Sequence, residues 1–166
     1  MTEVARIRNQ FERAFNGEAW HGPSVLALLD GVTAQQAAAH PIPGAHSIWE
    51  LTLHIAAWED ACGRRLEGDP AQLTDDENFP PVTDTTEAAW ETAKAKLIDV
   101  HRRLLNTITA TDDSRLDQPI IAQPIVDSTE TTFSTVYVTL HGGVQHSLYH
   151  AGQIAILKKA IDAVAS

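Results

Sequence analysis

The sequence has a single cysteine, Cys62, so no disulfide can form within the chain and no paired-cysteine zinc motif is available. It lacks any apolar run near the roughly 20 residues of a helical membrane span. Its opening, MTEVARIRNQ, has no apolar segment of the kind that directs export. Basic residues are scarce: 12 Lys and Arg stand against 22 Asp and Glu, for a net charge of −10. Nucleic-acid binding through phosphate contacts needs the opposite balance. Glycine-rich phosphate loops and serine-nucleophile motifs are missing too. These absences lead us to expect a reduced, cytoplasmic protein with neither membrane nor nucleic acid among its partners, and a small molecule as its ligand.

What remains is ordinary globular material, 43% hydrophobic and 20% charged over 166 residues, enough for a proper core in one domain spanning 1–166. Val4, Ile7, Phe11 and Phe15 recur at three- and four-residue spacing, which predicts an amphipathic helix over 3–16. NGEAWHGP breaks it, and PSVLALLDG predicts a short helix opened by Pro23 and closed by Gly31. Ser47 with Glu50 has the capping-box pattern and predicts a helix running to about Glu67. The acidic, proline-rich GDPAQLTDDENFPPVTD predicts a surface loop, with Asp75, Asp76 and Glu77 solvated.

Asp84 with Glu87 repeats the capping pattern, and Trp90, Leu97, Leu104, Leu105 and Ile108 form the stripe of a long third helix. A second loop follows, with an extended piece expected at PIIAQPIV. The last helix is predicted from about Thr132 to Val164, although its β-branched start, FSTVYVTL, also suits a strand. Four long helices with long connecting loops predict an all-α four-helix bundle.

Positions four apart on a helix differ by only ~40° in azimuth, so His146 and His150 in QHSLYHAGQ share a face with Gln153, Ile154 and Leu157. His141 points nearly the opposite way. Two imidazoles at this spacing can serve one metal, but packed core histidines show the same spacing. A third ligand must come from another helix, and His54, on a core-like face with Leu51 and Trp58, is the best candidate. Its alternative is a buried neutral histidine bonded to a backbone carbonyl.

HSIWELTLHIAAWE and LHGGVQHSLYHAGQIAILKK resemble the two signature segments of the DinB/YfiT-like superfamily, bacterial four-helix proteins with a three-histidine metal site. The resemblance covers nearly the whole chain. It implies His54, His146 and His150 as ligands, and Tyr149 and the Ala-Gly-Gln that follows also fit. It implies a homodimer as well. Some relatives are transferases or isomerases using low-molecular-weight thiols such as bacillithiol or mycothiol, others are described only as metal-dependent hydrolases, and many have no known reaction.

Three protein ligands leave a position open, which is the catalytic arrangement. Imidazole donors suit one divalent transition metal ion, with Zn, Ni or Fe foremost, rather than Mg or Ca. Such an ion can present a thiolate to an electrophile or acidify water. With no general base evident in the sequence, thiol S-transfer to small electrophiles is expected ahead of hydrolysis. A non-catalytic ligand-binding or stress-linked protein with a structural metal is the remaining expectation.

Several other residues are candidates for the pocket. Glu50 could support His54 or simply cap its helix. His21 and His46 could reach the pocket mouth or anchor loops. Tyr149 and Gln153 could flank the histidines. Trp58 is expected in core or pocket wall, as are Trp20, Trp49 and Trp90. His101 and Cys62 are expected to be packing residues.

Overall fold

The structure is a computed structural model that describes residues 1–121 and 133–165. Among these the chain is mostly helical, and four long helices carry the fold: α1 (Glu3–Asn16), α4 (Ile48–Leu66), α6 (Glu87–Thr109) and α7 (Val136–Ala165). Three short ones fill the connections: α2 (Val25–Leu29), α3 (Ala34–Ala38) and α5 (Asp75–Asn78). The all-α expectation holds. One two-stranded antiparallel ribbon, β1 (Pro119–Ile121) with β2 (Phe133–Thr135), precedes α7. The strand alternative for FSTVYVTL therefore holds for its first three residues only. Most of the extended piece expected at PIIAQPIV, and the predicted helix start at Thr132, lie outside the described residues.

Local chemistry sets the boundaries. Ser47 and Glu50 form the capping box of α4, each side chain bonding the other's backbone N–H. The start of α6 differs from the Asp84–Glu87 expectation, because Thr86 is its N-cap. Asp84 accepts from the Thr86 N–H, and Glu87 instead reaches back to the Ala34 N–H at the start of α3. Serving another helix's unpaired amide is an alternative use for a carboxylate near a helix N-terminus. A second correction concerns Trp20, which is fully exposed rather than in the core or pocket wall.

α4 packs most extensively on α6 and next on α7. The interior is split into two apolar clusters. One gathers Ile48, Trp49, Ile55, Trp90, Leu97, Ile154 and Leu157. The other gathers Ile7, Phe11, Leu66, Leu104, Ile108 and Leu140. Along α4, α6 and α7 the levels between these clusters carry Glu59, His101 and Ser147, all buried. Gly143 lets α7 approach closely here, since a Cβ would lie 2.8 Å from the Phe11 ring and 3.3 Å from Cys62 Sγ.

Candidate metal centre

α4 and α7 bring His54, His146 and His150 together. His146 Nε2 lies 3.0 Å from His54 Nε2 and 3.1 Å from His150 Nε2, and donor atoms of all three fall within 4.8 Å of one another. For imidazoles ~2.0–2.1 Å from a tetrahedral ion, nitrogens should stand roughly 3.3 Å apart. Two of the rings are oriented from outside. His54 Nδ1–H donates to the Asn78 carbonyl at 2.7 Å, and His150 Nδ1–H donates to Gln153 Oε1 at 2.6 Å. With their protons placed there, both Nε2 atoms are bare lone pairs facing inward. His146 can offer a proton to only one of them. The donor set therefore suits a shared cation.

Burial keeps the imidazoles neutral. It lowers the pKa of His54 and of His150 from the ordinary 6.5. It pushes His146 down to about 3, with the neighbouring His150 and His54 adding to the effect. Metal binding requires neutral histidine, so this is the protonation state a ligand set needs.

Some of the supporting residues lie in the acidic loop expected only to be solvated surface. Asp75, Asp76 and Glu77 are exposed as expected, but they form a capped helical turn whose end delivers Asn78 and Phe79 to the site. Asn78 accepts from His54 through its backbone and from Trp58 Nε1 through its side chain, at 2.8 Å. Phe79 is sandwiched between His54 and His46, with ring centroids 4.0 and 3.8 Å away and planes nearly parallel. An aromatic ending an acidic run was the only signal for this.

His46 thus backs His54 through Phe79. Glu50 accepts from Ser47 N–H and takes His40 and His46 as partners at 3.2 and 3.3 Å. It is a cap and loop anchor, and no hydrogen bond joins it to the triad. Burial works to raise its pKa, but the Ser47 amide and the two imidazoles outweigh that and hold it low. Tyr149 stands edge-on to His150, centroids 5.0 Å apart, yet is 66% exposed. His21 lines a different groove, with Asn9, Trp20 and Leu148, away from the histidines.

His101 is buried as expected, stacked 3.7 Å from Phe15, but it is more than packing. Its Nδ1 lies 2.9 Å from Glu59 Oε2, while Ser147 Oγ donates to Glu59 Oε1 at 3.3 Å. Glu59 lines a cavity of about 250 Å³ between α4 and α7, with Trp58, Arg65, Gly142 and His146 also in its wall. Cys62 is there too, but burial pushes its thiol up to about 12, so it is no nucleophile at neutral pH. A second cleft of about 340 Å³ lies on the far side, lined by His46, Leu51, Gln153 and Ile156. A further cleft of about 600 Å³ between α1 and α6, lined by Glu12, Arg13, Phe15 and His101 among others, holds no comparable donor cluster.

The sequence profile of the DinB superfamily matches residues 19–154. The chain belongs to the DinB superfamily. The solved structure of a conserved protein from Enterococcus faecalis is similar to this DinB-superfamily chain over its whole length, with a TM-score of 0.69 at 16% identity, covering 98% of this chain and 99% of the other. At that identity the likeness shows the fold alone. No protein of curated function matches the chain.

Within the site, Gln153 should matter for affinity and little else. Replacing it with leucine removes the acceptor that orients His150, and loss of such a partner weakens metal binding about 10- to 100-fold. A chelator-competition titration giving the wild-type affinity would show that Gln153 does not set the ring.

Proposed function

We propose that His54, His146 and His150 hold one divalent transition metal ion, and that the protein uses it to transfer a low-molecular-weight thiol to a small electrophile. The convergence of three neutral Nε2 atoms, two of them fixed by outward Nδ1–H bonds, carries the reading. Three neutral imidazoles leave an ion its full charge, which acidifies a thiol or water in the remaining position. The chain's own residues supply the rest. Asn78 and Phe79 hold His54, Gln153 holds His150, and Trp58 screens one side of His146, its ring 5.6 Å away. The adjoining cavity accommodates the substrate.

Hydrolysis is the second reading, favoured by the Glu59 carboxylate in the cavity wall. Both of its oxygens are already hydrogen-bonded to His101 and Ser147, and a bound thiolate needs no base during attack, which keeps thiol transfer ahead.

The test is a screen of metal-loaded protein with several small thiols against epoxides and halides, beside an ester and amide panel. A rate that needs added thiol and vanishes in His54→Ala is expected. A His54-dependent rate indifferent to thiol would move the assignment to hydrolysis. No turnover with any substrate, alongside a metal-dependent rise in melting temperature, would leave the ion a structural part.

A further inference from the structure

We infer that the cavity beside the histidines selects a substrate bearing a carboxylate, held by Arg65; the inference rests on the metal reading only for what occupies the other end of the cavity. Trp58 and Arg65 are seven residues apart on α4 and line the same cavity wall. The guanidinium carbon sits 5.3 Å from the Trp58 ring centroid, and the His146 ring is 5.6 Å from Trp58 on the other hand. One small molecule can therefore span from the imidazoles to the arginine.

Arg65 is oriented by backbone carbonyls. Its Nε donates to the Pro70 carbonyl at 3.3 Å and its Nη2 to the Ala71 carbonyl at 3.2 Å. Ala71 is almost fully buried and holds a left-handed φ of 44°, which a residue with a Cβ seldom adopts. Asp69 pins it there through the Ala71 N–H at 2.8 Å. Arg65 pairs with no carboxylate among the described residues, whereas Arg64 beside it pairs with two, Asp69 and Asp60. Glu59, in the same cavity wall, has both oxygens bound to His101 and Ser147. Two carbonyls account for two of the five guanidinium N–H donors, and planar, two-pronged recognition of a carboxylate is what the remaining donors do best.

The probes are 3-mercaptopropionate and its uncharged counterpart 3-mercaptopropanol. In metal-free ¹⁵N-labelled protein, the Trp58 indole resonance should shift with the carboxylate at concentrations about tenfold below those needed for the alcohol. In Arg65→Gln that preference should disappear, and in Arg65→Lys part of it should return. Gly142→Leu should abolish the shift with both probes, because a Cβ at Gly142 meets nothing within 4 Å and the longer side chain fills the cavity. Equal response to both probes, or a preference that survives Arg65→Gln, overturns the inference. The cobalt-loaded protein separates the two readings. A sulfur-to-cobalt absorption band should form with either thiol and at lower concentration with the carboxylate. Failure of cobalt to bind would count against the metal reading while the metal-free titration still judges Arg65.

Discussion

Glutamine in place of His150 should reduce bound metal from about one equivalent per chain to nearly none, in protein purified without a chelating tag and assayed by elemental analysis. His150 supplies one of the three donors clustered among the described residues, and its Nε2 lies 3.1 Å from that of His146. The remaining pair comes from two different helices, so nothing but His54 and His146 would hold an ion. Glutamine keeps bulk and polarity at this buried position, and the circular dichroism should be unchanged. His21→Gln and His141→Gln should keep full metal content, because neither residue belongs to the cluster. Equal metal in wild type and His150→Gln would refute the assignment of ligands. Acid adds a second observable. The histidine pKa values are depressed in the folded protein, His146 to about 3, so the unfolded chain takes up protons first. Stability of the metal-free protein should therefore fall as pH drops from 6.5 toward 3.

His101→Leu should cost about 3 kcal/mol of stability, read from the urea midpoint. Leucine packs as well against Phe15, so the loss would come from Glu59, left buried with Ser147 as its remaining partner. Glu59→Met should be costly for the mirror reason, since it strands His101. The double variant should recover much of either loss, because an apolar pair of similar volume leaves neither a buried carboxylate nor a buried imidazole unmet, only the weaker Ser147 hydroxyl. A favourable interaction energy of at least about 1 kcal/mol in the double-mutant cycle is the expected signature. Additive losses would mean that the two residues act independently and that the hydrogen bond contributes nothing.

Sequence pattern and structure agree where the information is local. The apolar spacing over 3–16 and the Ser47–Glu50 box appear as α1 and the start of α4 because both depend on residues within a turn of one another. The three histidines were legible for a related reason. Two share a helical turn, and the third sits on an apolar face where a polar residue stands out. Glu59 and His101 were not legible, since 42 residues separate them. Each taken alone looks ordinary, one a charge on a helix and the other a ring on an apolar stripe. Asn78 and Phe79 escaped because a loop's destination depends on tertiary contacts that its composition does not encode. Trp20 failed in the other direction: size and hydrophobicity suggested burial, and the glycine-flanked turn around it leaves it in solvent.

The polar level between the two apolar clusters also acts as a gauge of helix position. Leucine against leucine tolerates sliding, because a helix shifted by one turn, about 5.4 Å, meets much the same surface. Glu59 does not tolerate it. A shift of α7 along α4 would carry Ser147 away from the carboxylate, and a shift of α6 would do the same to His101. A hydrogen-bonded group inside an apolar interior therefore selects one axial alignment among several of similar packing quality. That alignment is also the one that sets His54 level with His146 and His150, so the geometry of the donor cluster is inherited from a contact it does not make itself.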